Sequence, residues 1–268
     1  FQEAERYLEE KRQKLMDEWG IDPVPYEELP LMSGTFNVPL YGMTKWGDLF
    51  NSRQKLALIT FTEKVRLAYQ KMIEEGYDEE YAKAVVSYLG LTVDKLADAC
   101  SSNGRWKTDT VQLIPALSGR QALQMMWDYF ELNPISGVSR CWSNTLNELL
   151  NGLKITEGTL SASVKQASAT SLPYPDNHFD AVFTDPPYYN NVPYADLSDF
   201  FYVWLKRSIG DFYPELFMTP LTPKSKEICE MKSWDSNRYG YKDKRYFEEM
   251  LKKAFKEIAR VLKPDGIA

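Results

Sequence analysis

Four consecutive residues, Asp185-Pro186-Pro187-Tyr188, have the types and spacing to do chemistry. They follow Phe179-Asp-Ala-Val-Phe-Thr184, an apolar run that reads as a buried strand. An exocyclic amine on a nucleobase is a poor nucleophile, because its lone pair is delocalised into the ring. Hydrogen-bond acceptors that take both amine hydrogens turn that lone pair outward, toward an electrophile. The Asp185 carboxylate and the Pro186 carbonyl are such acceptors. Two prolines fix φ and carry no N–H, so the carbonyls are held stiffly and no local donor competes for them. Tyr188 offers a flat face on which a base can stack, a contact worth roughly 1–3 kcal/mol. The plainer alternative is a stiff turn in which Asp185 is only a capping residue.

The residues just beyond the tetrapeptide are candidates for the walls of a base pocket: Tyr189, Asn190, Asn191 and Tyr194, with Asp196 and Asp199 further on. Asp196 or Ser198 is equally suited to cap the helix that follows. Thr184 and Asp185, where strand gives way to loop, are the candidate cofactor contacts. His178 is the sole histidine and sits in a predicted turn beside Asp176 and Asn177, so neither Ser-His nor metal-His chemistry is available. No metal site is expected. Cys100, Cys141 and Cys229 are far apart and read as small buried hydrophobes. Cys229 follows Ile228 and so does not match a cytosine-C5 nucleophile, which commonly follows proline. Arg53, Lys55, Arg66, Lys206, Arg207, Lys224 and Lys226 read as solvated charges before phosphate contacts. Trp106, Trp127, Trp142 and Trp204 read as core or interface aromatics.

The elements that must position this chemistry fall into two stretches. Residues 1–157 read as mainly helical, with a Pro- and Gly-rich linker-like segment at 20–47. Periodicity predicts helices over 2–19, 48–75, 78–89, 92–99 and 119–132. Residues 158–268 change character, with predicted strands at 161–167 and 179–184 and a turn at 173–176. A helix over 196–208 is apolar on nearly every face, and an amphipathic helix over 244–262 follows. The chain then turns at Lys263-Pro264-Asp265-Gly266 toward a strand at Ile267. Strand, loop, helix and strand in that order are the grammar of a parallel α/β sheet, whose ligands sit beyond the carboxyl ends of the strands.

The run from Asp180 to Lys206, with Tyr41-Gly42, Trp46-Gly-Asp-Leu-Phe-Asn-Ser-Arg-Gln54, Thr222-Pro-Lys224 and Arg260-Val-Leu-Lys-Pro-Asp-Gly266, closely resembles a family of large prokaryotic adenine-specific DNA methylases. Members of that family contain a zinc ribbon and a conserved domain of unknown function. The tetrapeptide itself is similar to the catalytic motif of N6-adenine and N4-cytosine DNA methyltransferases. The resemblance implies part of a Rossmann-like, S-adenosylmethionine-dependent methyltransferase domain acting on a flipped base in DNA, with adenine N6 ahead of cytosine N4. This chain departs from the family at Asn190, where Asp is common. It also shows no glycine-rich turn after a first strand: Gly104, Gly119 and Gly137 stand alone, and Ser168-Ala169-Thr170 occupy a place that is often acidic. Together with a start at Phe1 and an end at Ala268, inside a predicted strand, this leads us to expect a fragment of a larger protein.

The net charge of −6 excludes a protein that grips DNA over its whole surface. No apolar run approaches the roughly 18 residues that cross a bilayer, so a cytoplasmic location without membrane contact is expected. Two other readings fit the same tetrapeptide: methylation of an RNA base or a protein amide, and a non-catalytic fragment that binds nucleic acid or a partner.

Overall fold

The computed structural model describes residues 2–32, 34–109, 112–117, 121–160 and 162–268. It is a mixed helix and sheet structure, 48% helical with short sheets. The chain divides into two compact units: one holds 1–158 and 197–222, the other 159–196 and 223–268.

In the first unit, α1 spans Gln2–Trp19 and stops at Gly20, whose φ of +67° is the left-handed conformation that glycine adopts without strain. Helix α2 spans Ser52–Glu74. It begins later than periodicity predicts, because Trp46–Leu49 form a separate 3-10 turn and Asn51 caps α2 in reciprocal bonds with Gln54. Helix α3 runs unbroken over Glu79–Ala99, where two helices were predicted. Gly90 does not break it. A Cβ there would sit 3.0 Å from Ile209 Cγ2, so the glycine is explained by close packing. Strands β1 (Arg105–Lys107) and β2 (Gln112–Ile114) form a small antiparallel pair.

The predicted helix over 119–132 is not present in the described residues 121–132; Gly119 and Arg120 lie outside them. Tertiary pairing takes this backbone. Leu123 N donates to Thr35 O at 2.7 Å, Asn37 N donates to Leu123 O, and Asn103 Nδ2 reaches Gln124 O. A helix that prediction omitted, α4, spans Trp142–Thr156.

Helix α5 spans Tyr194–Ile209, and its Leu197–Ile209 part belongs to the first unit. There it buries Phe200, Val203 and Trp204, as its apolar faces require. Phe36, Trp46, Phe50, Phe200 and Trp204 form one aromatic core with edge-to-face pairs, Phe50 and Trp204 at 5.3 Å.

In the second unit, β3 (Phe179–Ala181) pairs in parallel with β4 (Leu262–Ile267). Two further elements, the short α6 (Ser236–Tyr239) and the long α7 (Lys244–Val261), complete it. Asp235 and Asp243 cap these helices. The predicted turn at Lys263–Gly266 is instead part of β4. Phe179 faces Leu262 and Ala181 faces Ile267, so the extra β4 residues form a bulge. Pro264, which has no N–H to offer a ladder, sits in that irregular stretch.

Two strand predictions are corrected. Residues 162–167 are exposed coil without strand pairing, and Ser161 lies outside the described residues. The strand before the tetrapeptide is only three residues long, and it is not buried: Asp180 and Ala181 are exposed and Phe183 is 89% exposed.

Candidate amine-binding site

Strand β3 hands the chain to the tetrapeptide through one more ladder bond, Val182 N to Ile267 O at 2.8 Å. Thr184 and Asp185 are exposed, Pro186 and Pro187 half-buried, and Tyr188 exposed. The Tyr188 hydroxyl lies 3.4 Å from Asp185 Oδ2, a long hydrogen bond that raises the phenol above its ordinary pKa. Pro187 O accepts from Tyr189 N at 3.2 Å, and Tyr188 O from Asn191 N at 2.8 Å. Among the described residues, no donor bonds to the Pro186 carbonyl. Asp185 and Pro186 thus follow each other in the loop that leaves parallel strand β3.

Tyr189 adopts φ +36°, a left-handed conformation that costs a non-glycine residue about 1–2 kcal/mol. Its ring packs edge-on against Phe247 of α7 at 5.2 Å. Asn190 and Asn191 are exposed, and so is Tyr194 at the first position of α5. The four candidate pocket residues therefore occupy one continuous segment at the surface.

That segment is gripped by residues 224–243, which the sequence marks only as a loop. Glu230 N donates to Tyr189 O at 2.9 Å, and Trp234 Nε1 to Asn190 O at 2.9 Å. Glu227 Oε1 accepts from Ala195 N at 2.9 Å, and burial pushes this carboxyl above its ordinary pKa. Asp196 does not cap α5. It is buried inside the first turn, where Tyr239 donates to both of its oxygens at 3.1 Å and Arg238 adds an ion pair at 3.0 Å. Asp199, in the other unit, is also buried and takes Thr222 N and Oγ1 on Oδ1. Both aspartates hold the fold together, which corrects the pocket role considered for them. No sequence motif marks Trp234 or Glu230; the nearest signal is the Asp235 cap.

The remaining candidates divide between structural contacts and solvent-facing positions. Arg207 is fully buried and forms a bidentate pair with Glu27, both bonds 3.1 Å, with further bonds to Asp22 O at 2.8 Å and Val203 O at 2.7 Å. Arg53 pairs with Glu131 at 2.7 Å, Arg66 with Asp211, and Lys206 with Thr219 O. Lys55 is half-buried, which lowers its pKa, and Lys226 is exposed. Ser168, Ala169 and Thr170 form a small turn closed from Ser171 N to Ser168 O. His178 is exposed and stacks on Tyr174. The three cysteines are buried and free, and burial pushes the Cys100 and Cys229 thiols up to about 12. Trp204 is core and Trp142 stacks on Phe61 at 4.6 Å. Trp106 and Trp127 instead face solvent, the latter 77% exposed.

No described helix is long and apolar enough to cross a membrane. Comparison with protein-family models, with curated proteins and with solved structures returned no match.

Proposed function

We propose that this chain carries the amine-binding site of an S-adenosylmethionine-dependent methyltransferase that acts on an exocyclic nucleobase amine in DNA. One observation carries the reading. An exposed Asp185 carboxylate is followed directly by the half-buried Pro186, whose carbonyl takes no hydrogen bond among the described residues, in the stretch that leaves a parallel strand, and the Tyr188 hydroxyl lies 3.4 Å from that carboxylate. In this reading Asp185 and Pro186 O each accept one hydrogen of the amine, and Tyr188 stacks on the flipped base. Tyr189, Asn190, Asn191 and Tyr194 border it. The likeness of its sequence to adenine-specific DNA methylases supports adenine N6 over cytosine N4 as the target in this reading.

Charge supports a local contact with a polyanion. The unit holding the tetrapeptide has 13 basic and 12 acidic residues, a net +1. The other unit has 19 and 26, a net −7.

S-adenosylmethionine would supply an electrophilic methyl group. Only the acceptor side of its site is present among the described residues. The glycines of this unit, Gly240 and Gly266, do not stand in a strand-to-helix turn, and a Cβ on Gly266 would meet Leu262 and the Asp180 carbonyl. They do not fit the methionine cradle, and Thr184 alone is a thin contact for a nucleoside. This misfit favours one competing reading, a base-binding module without catalysis.

The test is transfer of labelled methyl from S-adenosylmethionine to unmethylated DNA by the full-length gene product. The expected result is label on adenine N6, with Asp185→Ala lowering the rate about 100-fold or more. Equal transfer by wild type and variant would overturn the site. Base binding without any transfer would establish the module reading.

A further inference from the structure

The strongest feature outside the tetrapeptide is the segment that follows Pro223. It touches residues 189–196 at four points, by Glu230 N, Trp234 Nε1, Glu227 Oε1 and the Tyr239–Arg238 pair. It is also locked onto itself. Lys242, fully buried, donates to Lys224 O and to Glu227 O at 2.8 Å, and Met231 N returns to Lys242 O at 2.9 Å. The Glu230 carboxylate closes the next turn on Ser233 N at 3.1 Å and Oγ at 2.5 Å, which sets the position of Trp234. Burying an ammonium and a carboxylate costs stability unless each is bonded, as both are here. A loop carrying them is built to hold one shape.

From this geometry we infer that residues 224–242 form a clasp, and that Trp234 is the positioning residue for the amine acceptors. This deepens the methyltransferase reading and rests on it. The Tyr189 and Asn190 carbonyls are the first two after the tetrapeptide, and Tyr189 has the left-handed backbone. Pinning both carbonyls fixes the peptide planes of 189 and 190. It thereby fixes the exit direction of the chain from Tyr188, whose own carbonyl is tied to Asn191 N. One of the two pins is backbone to backbone, and only proline, which would also distort the loop, removes its donor. The other is the indole N–H, so Trp234 is the point at which the clasp can be opened selectively.

Trp234→Phe keeps an aromatic ring, though a smaller one, and deletes the donor. Losing one net hydrogen bond should speed amide hydrogen exchange at Asn191 about three- to tenfold, with a correspondingly small fall in the denaturation midpoint. In the methyl-transfer assay kcat should fall by a similar factor while KM for S-adenosylmethionine stays put, because the acceptors and not the donor site are displaced. Trp127→Phe, at an exposed tryptophan of the other unit, should change neither readout. Unchanged exchange in Trp234→Phe would overturn the clasp. Faster exchange with an unchanged kcat would overturn its positioning role. If the wild-type protein transfers no label, the methyltransferase reading falls and the exchange rates still decide the clasp.

Discussion

The two units use charge in opposite ways. In the first, one buried ion pair serves the interior: Arg207 is fully buried with its guanidinium shared among Glu27 and three backbone carbonyls, while Arg53 and Arg66 pair with carboxylates at the surface. In the second, the polar groups converge on a loop. The buried Lys242, Asp196 and Glu230 all lie within the clasp or under the segment it grips, while Asp185 is left exposed. The acidic unit holds Arg207 as a buried cation within its scaffold. The near-neutral unit spends its buried polar groups on fixing one stretch of backbone. Function is expected where polar order is concentrated without enclosing the acceptors themselves.

The sharpest way to break this comparison is Glu27→Ala. Leaving Arg207 as an unpaired buried cation should cost about 3–5 kcal/mol in chemical denaturation. A loss below about 1 kcal/mol would mean the first unit's buried charges are not structural. An intermediate effect is expected from pH. Glu257 accepts from Arg260 and from Leu172 N, which together hold its carboxyl down at about 2 against an ordinary 4.5. A depressed carboxyl contributes its stability fully above the unfolded value and loses it as pH falls through the folded one. The second unit should therefore weaken between about pH 4.5 and 2. Glu257→Gln should flatten that part of the acid titration, read by circular dichroism. The smallest effect belongs to Phe183→Ser. At 89% exposure it should change stability by less than about 0.5 kcal/mol, and a larger loss would show that the strand end is covered in solution.

Much of the helical scaffold was legible because its signals are local. Gly20, Gly76 and the Asp243 cap bound α1, α2 and α7, and the apolar spacing between them is helical. What misled was context. Gly90-Leu91 looks like a break until α5 is packed against it. Residues 121–132 look helical until Leu123 is paired with Thr35 and Asn37. In α4, Trp142, Leu146, Leu149, Leu150 and Leu153 recur at helical spacing, but Asn151-Gly152 disguises the last turn. The tetrapeptide could be read because its four residues carry their chemistry in their types. The clasp could not, since its grip is made through backbone carbonyls and one indole, partners that composition does not reveal.

The buried thiols carry a consequence of another kind. Cys100 lies in one unit and Cys229 in the other, both buried and both pushed up to about 12. At neutral pH neither is a thiolate, so a thiol reagent meets them only when the surrounding structure opens. With Cys141, the third buried thiol, replaced by Ser, each unit would keep one thiol as its clock, and the labelling rates at Cys100 and Cys229 would time the local opening of each unit.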